Sequence, residues 1–168
     1  MKSLRSLPPA DQHRLTAAEG WLELGDCVSA SDELDAIATE LQEHRDVLQM
    51  RLRIYLEAKK WNLVVSVAET LVAMLPNDPD GWIHRSHALH ELKRTQEAFD
   101  QLRPVLDRFP AMWIVPYNLA CYLCQLSRVP EARPLLERAL QLAPSPECKQ
   151  QALEDPDLAP LWTDQKHQ

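Results

Sequence analysis

The chain has 168 residues, with 18 basic and 25 acidic side chains and a formal net charge of −7. Its length suits one domain of ordinary size. The acidic balance disfavours nucleic acid and membranes as partners, because both attract a basic face. Only three glycines accompany a hydrophobic content of 45%, whereas sheet turns and phosphate-binding loops use glycine freely. We therefore expect an all-α protein.

The start of the sequence does not resemble a secretion signal, since Lys2 and Arg5 lead into Pro8-Pro9 without an apolar core. The most apolar stretch, residues 63–75, is too short to span a bilayer and contains Glu69. Four cysteines are too few for a disulfide scaffold. These features predict a cytoplasmic protein with a flexible N-terminal tail over residues 1–10.

A repeat of 34 residues organises the rest of the chain. Pro110 lies 34 residues after Pro76, and Pro144 lies 34 residues after Pro110. A fixed period of this size indicates stacked structural repeats. The corresponding frames are 11–44, 45–78, 79–112 and 113–146. Position 20 of each frame is a small or β-branched apolar residue: Ala30, Val64, Ala98 and Ala132.

Apolar residues define two helices in each frame. Positions 8, 11 and 14 fall on one face of a first helix, and positions 20, 24, 27 and 28 fall on one face of a second. We expect Gly25-Asp26 to separate the two helices of the first frame. Asp78-Pro79 is expected to begin a helix, and the same device at Ser145-Pro146 and Asp155-Pro156 predicts two further short helices. Pro104 and Pro134 fall inside second helices, where each should cause a kink.

The fourth frame carries the clearest signature, Tyr117-Asn118-Leu119-Ala120-Cys121 followed by Ala132, Leu136 and Pro144. This pattern resembles the tetratricopeptide repeat (TPR). The resemblance implies a right-handed α-solenoid of four stacked helix-turn-helix repeats over residues 11–146. The stretch 152–161 is similar to the ends of bacterial TPR arrays. It implies a bacterial source and C-terminal capping helices within residues 147–168, followed by a loose end; such a cap favours a monomer.

In the TPR family the first helices line a concave groove that holds an extended peptide or a partner helix. The resemblance therefore implies a non-catalytic protein-interaction module. Position 13 reads Glu23, Glu57 and Glu91 in three successive frames, which predicts an acidic groove and a basic partner. The residues predicted to contact that partner are Glu19, Glu23, Arg53, Glu57, His84, His87, Glu91, Tyr117, Asn118 and Cys121.

Two other functions remain open. Small acidic TPR proteins also act as type III secretion chaperones for unfolded clients, and this chain has a similar size and charge. Alternatively, the set His87, His90, Cys121 and Cys124 has the composition of a zinc site. Packed helices lie about 8–10 Å apart, however, which is far for ligands of one ion. We predict no metal and no cofactor. The sequence contains no phosphate loop or nucleophile elbow, so we also predict no enzymatic activity.

Overall fold

A computed structural model describes residues 6–163 as helices joined by short turns, with no strand in that range. The predicted all-α fold is confirmed. The chain divides into two compact units, unit 1 up to Pro76 and unit 2 from Asn77 onward. The helices of unit 1 are α1 (Pro9–Glu23), α2 (Cys27–Asp35), α3 (Arg45–Glu57) and α4 (Trp61–Met74). Those of unit 2 are α5 (Pro79–Glu91), α6 (Thr95–Leu102), α7 (Val105–Arg108), α8 (Ile114–Gln125), α9 (Val129–Leu142), α10 (Glu147–Glu154) and α11 (Ala159–Thr163).

Unit 1 consists of two helical hairpins, α1–α2 and α3–α4, and α3 also packs on both helices of the first hairpin. Ala18 and Ala30 are fully buried, and their small side chains permit close approach of α1 and α2. Leu34, Val47 and Ile54 belong to the same core. Burial of these apolar side chains holds the two hairpins together.

The N-terminus departs from the prediction of a flexible tail over residues 1–10. Leu7 is buried in the core of unit 1, and α1 already begins at Pro9. Proline suits the first turn of a helix, where its missing N–H has no partner in any case. Residues 1–5 of the predicted tail lie outside the described residues.

One backbone conformation recurs at the turn of every hairpin. Gly25 has a φ of 79°, and the residues at successive intervals of 34 also have positive φ: Lys59 (51°), Lys93 (63°) and Ser127 (61°). A left-handed residue ends a helix and satisfies its last carbonyls. The expected break at Gly25-Asp26 is confirmed, and Asp26 caps α2 by accepting hydrogen bonds from Val28 N and Ser29 N.

In unit 2 the hairpins α5–α6 and α8–α9 pack on one another. Asp78 caps α5 with Pro79 in the first turn, as predicted. The two internal prolines act differently. Pro104 separates α6 from α7, whereas α9 continues through Pro134 without interruption.

The segment after α9 turns back onto the repeats. Asp155 begins the short 3-10 turn Pro156–Leu158 by accepting a hydrogen bond from Asp157 N, as expected from the Asp-Pro pair. The helix α10 starts one residue later than the Ser145-Pro146 pair predicts, and without a side-chain cap. The 3-10 turn packs on α8, and α11 packs on α8 and α9. Residues 164–168, where a loose end is predicted, lie outside the described residues.

The first hairpin exposes two side chains that the repeat pattern places on a buried face. Trp21 is 40% exposed and Leu24 is 78% exposed. In unit 2 the residues at the same frame position as Trp21, Leu89 and Leu123, are buried. The same frame position therefore differs in exposure between the first hairpin and the hairpins of unit 2. Within residues 6–163, no helix is both long enough and apolar enough to cross a membrane.

Candidate functional site

In unit 1, four predicted contact residues lie on the first helices of the two hairpins. Glu19 and Glu23 are on α1, and Arg53 and Glu57 are on α3. Arg53 Nη1 is 2.8 Å from Glu19 Oε1, and both side chains are about half exposed. Glu23 and Glu57 are exposed, and neither forms an ion pair or hydrogen bond with another described side chain. We call these four residues the acidic face of unit 1.

The two unpaired glutamates occupy equivalent places, since Glu23 is the last residue of α1 and Glu57 is the last residue of α3. The last turns of these helices contain no basic residue. The C-terminal end of a helix carries a partial negative charge. Each carboxylate therefore adds to the negative potential of its helix end, and at α3 the following Lys59 and Lys60 oppose it.

In unit 2, the predicted residues His84, His87 and Glu91 lie on α5 and are partly buried. Burial lowers the pKa of His84, an effect that Asp80 opposes. Burial likewise lowers the pKa of His87, opposed by Glu91. Both imidazoles are consequently mostly neutral at pH 7. Of these three side chains, Glu91 is the one that carries a negative charge.

The other predicted residues of unit 2 lie on α8, where the chain's own C-terminal part covers two of them. Tyr117 Oη donates a hydrogen bond to Asp155 Oδ2 at 2.7 Å. Cys121 Sγ lies 3.8 Å from the same oxygen. Burial raises the pKa of both groups, and the nearby Asp155 raises it further. Tyr117 and Cys121 are buried by these contacts, while Asn118 is partly exposed.

Asp157 of the same segment contacts α5 through its carboxylate and α8 through its main-chain carbonyl. Asp157 Oδ2 is 3.0 Å from His90 Nε2, and the Asp157 carbonyl accepts a hydrogen bond from Gln125 Nε2 at 3.2 Å. The other ring nitrogen of His90 is 3.0 Å from Thr95 Oγ1. We call residues 155–162 the tail segment. The tail-docking face consists of His90, Tyr117, Cys121 and Gln125.

The zinc alternative has no support in this geometry. No group of three or more His, Cys, Asp or Glu side chains between residues 6 and 163 is arranged to hold a metal ion. Both nitrogens of His90 are engaged by Thr95 and Asp157. Burial raises the pKa of Cys124 to about 11, whereas zinc binds the thiolate.

Sequence reasoning did not find the contacts of the tail segment. The sequence predicts only a helix-capping role for Asp155, and Asp157 belongs to no recognised motif. Their partners Tyr117 and His90 lie 38 and 67 residues earlier in the chain. The only available signal is the Asp-Pro pair, which predicts where the turn begins but not what it packs against.

Comparison with known proteins agrees with this fold. No protein-family model matches the sequence, and no curated protein matches it. Solved structures do match. TTC0263, a thermophilic TPR protein of Thermus thermophilus, is 21% identical with a TM-score of 0.70, over 93% of this chain and 83% of its own. MamA from Desulfovibrio magneticus RS-1 is 16% identical with a TM-score of 0.72, over 79% and 75%. MamA MSR-1 is 20% identical with a TM-score of 0.70, over 79% and 76%.

These similarities identify the class of fold: the chain has the TPR-type solenoid fold of helix-turn-helix repeats, as its sequence predicts. At such identities the likeness concerns the fold alone.

Proposed function

We propose that this protein is a non-catalytic protein-interaction module that binds a basic peptide or helix through acidic groove residues, including the acidic face of unit 1. The observation that carries the proposal is the pair Glu23 and Glu57, exposed and unpaired at the ends of α1 and α3. TPR-like solved structures support the general role of a protein-binding scaffold.

The position of these glutamates favours a cationic partner. A carboxylate at the C-terminal end of a helix is opposed by the helix dipole, by about 0.3–1 kcal/mol at an exposed site. A stable helix would therefore carry lysine or arginine there. A lysine or arginine of a partner would interact favourably with both the carboxylate and the helix end.

Charge complementarity of this kind mainly accelerates encounter and selects the partner. Salt should weaken binding, because the glutamates are exposed and their field is screened. Arg53 is half exposed even though it pairs with Glu19, so its positive charge is present on the same face as Glu23 and Glu57. It therefore limits the net negative charge of this face.

The test uses two full-length variants as baits beside the wild type. Glu23→Lys/Glu57→Lys reverses the acidic face, and it should fold because lysine suits a helix C-terminus. Asp32→Lys/Glu69→Lys makes the same charge change on exposed residues of α2 and α4. Proteins recovered from lysate are identified by mass spectrometry, and binding of a labelled oligolysine peptide is measured at low and high salt.

We expect a basic partner to be recovered with the wild type and the Asp32/Glu69 variant but lost with the Glu23/Glu57 variant. Labelled oligolysine should likewise bind the wild type and the Asp32/Glu69 variant and lose affinity for the Glu23/Glu57 variant. Equal recovery by all three baits would contradict the proposal. Recovery of an unfolded apolar client, independent of salt and of both variants, would favour the secretion-chaperone alternative instead.

A further inference from the structure

In unit 2 the tail segment packs on a face that is built from side-chain hydrogen-bond donors. Three side chains of the tail-docking face, His90, Tyr117 and Cys121, contact the carboxylates of Asp155 and Asp157. The fourth, Gln125, donates to the main-chain carbonyl of Asp157. None of these donors is lysine or arginine. The face therefore holds the tail carboxylates by hydrogen bonds from uncharged side-chain groups and by a histidine.

Apolar side chains complete the recognition. Leu158 and Leu161 of the tail segment are 0% and 1% exposed, and they pack with the 3-10 turn and α11 against α8 and α9. The Leu161 carbonyl accepts a weak hydrogen bond from Arg133 Nη2 at 3.4 Å. The docked tail segment therefore has the sequence pattern Asp-x-Asp-Leu at residues 155–158, with a second leucine three residues later.

The link between α9 and the tail makes the occupant a separable element. The four residues between α9 and α10 are Ala-Pro-Ser-Pro, residues 143–146, and Ala143 has an extended backbone. The helix α10 carries an exposed Leu153 and packs mainly on the 3-10 turn and α11. The contacts that fix the tail to the repeats are therefore concentrated in residues 155–162.

We propose that the tail-docking face is a binding site for an acidic Asp-x-Asp-Leu segment of a partner protein, and that residues 155–162 act as its intramolecular ligand. A partner segment of the same chemistry displaces the tail and takes over its contacts with Tyr117 and His90. This site is distinct from the acidic face of unit 1. Its ligand has the opposite charge, so the proposal does not depend on the one above.

The experiment uses the full-length chain and a fluorescent peptide with the sequence of residues 152–163. The variant Asp155→Asn/Asp157→Asn weakens the intramolecular ligand while preserving its shape. We expect the peptide to bind this variant at least about tenfold more tightly than the wild type. The same peptide carrying Asp155→Asn and Asp157→Asn should lose at least about tenfold in affinity for the variant.

Two further substitutions locate the binding. Added to the weakened-tail variant, Tyr117→Phe with His90→Gln should abolish peptide binding, while Tyr55→Phe in unit 1 should leave it unchanged. Hydrogen exchange of residues 155–162 in the wild type should increase when excess peptide is present. This readout reports displacement directly and would not change if the peptide bound elsewhere.

Several results would overturn the proposal. One is a folded weakened-tail variant that does not bind the peptide; another is equal affinity for the wild type and the variant. A variant that does not fold would show that the tail is an indispensable part of unit 2 and not an exchangeable ligand. Exchange of tails between differently labelled copies of the wild type would make the occupant a second copy, and would refute the assignment to a partner protein.

Discussion

The two units use the same helical hairpin but treat their first helices differently. In unit 1 Glu23 and Glu57, at the ends of α1 and α3, are exposed and lack partners among the described residues. In unit 2 the tail segment packs on α8, where Tyr117 and Cys121 are buried and contact Asp155. The repeat therefore determines where a side chain stands on its helix. Its availability for binding depends on what else the chain packs there.

The largest effect should come from the core position that both units share. Leu34 and Leu102 occupy position 24 of their frames and are fully buried. Each Leu→Ala substitution should lower the free energy of unfolding by about 2–5 kcal/mol, because it leaves a cavity. Urea denaturation measures the loss, and hydrogen exchange shows whether protection falls most in the unit that carries the substitution. A loss below about 1 kcal/mol in either unit would show that this unit closes the cavity.

The cysteines should separate the units by reactivity. Cys27 of unit 1 is partly exposed, whereas Cys121, Cys124 and Cys148 of unit 2 are buried. Burial raises the pKa of Cys124 to about 11, so at pH 8 only about one thiol in a thousand is the reactive thiolate. We expect a disulfide reagent to modify Cys27 at least about a hundredfold faster than Cys121 or Cys124.

The control for this labelling is Cys27→Ser, which should remove the fast phase. The rate at Cys124 should rise about tenfold per pH unit between pH 7 and 9, because the thiolate fraction grows in that proportion below the pKa. Fast labelling of Cys121 or Cys124 at pH 7 would mean that the tail segment opens often.

Phenylalanine substitutions at two tyrosines, one in each unit, test how much the tail segment stabilises unit 2. Tyr117→Phe removes the hydrogen bond to Asp155 and should cost about 1.5–3 kcal/mol of unfolding free energy, because the acceptor is a carboxylate. Tyr55→Phe in unit 1 removes a hydroxyl that donates to no described side chain, and should change stability by less than about 0.5 kcal/mol. Equal effects in thermal denaturation would contradict the distinction.

Substitutions at the left-handed turn residues Gly25 and Lys93 should change stability in opposite directions. Gly25→Ala should lose about 1 kcal/mol, since a Cβ there meets no atom within 4 Å and the cost comes from the positive φ alone. Lys93→Gly places glycine in the same conformation in unit 2 and should gain up to about 1 kcal/mol. Melting temperatures of the two variants measure both signs; a stabilised Gly25→Ala variant would refute this account of the turn.

The smallest effect should come from Arg53→Gln. Its pair with Glu19 is half exposed, and exposed pairs contribute less than about 1 kcal/mol. A double-mutant cycle with Glu19→Gln measures the coupling, which should decrease further in high salt. A coupling above about 1 kcal/mol would show a more rigid acidic face than the exposure of these side chains implies.

The sequence predicts the repeat well because periodic burial is local information. Ala30, Val64, Ala98 and Ala132 share a frame position, and all are fully buried. The same period does not reveal the exposure of Trp21 and Leu24, which depends on whether a neighbouring helix packs on α1. Nor does it reveal the contact of Tyr117 with Asp155, because that contact joins an element outside the repeat to one inside it. The predicted roles of Glu23, Glu57 and Asn118 in partner binding stay predictions.

The docked tail segment also sets a threshold for any competitor. A ligand that needs the minor, undocked state binds with its intrinsic affinity reduced by the fraction of molecules in that state. If the tail is docked in about 99 of 100 molecules, the apparent dissociation constant of a competing acidic segment rises about a hundredfold. Weak acidic segments would then remain unbound unless their concentration approached this raised dissociation constant. Occupancy of the face by a partner would depend on the local concentration of that partner. A single substitution at Asp155 or Asp157 would change the concentration that is needed.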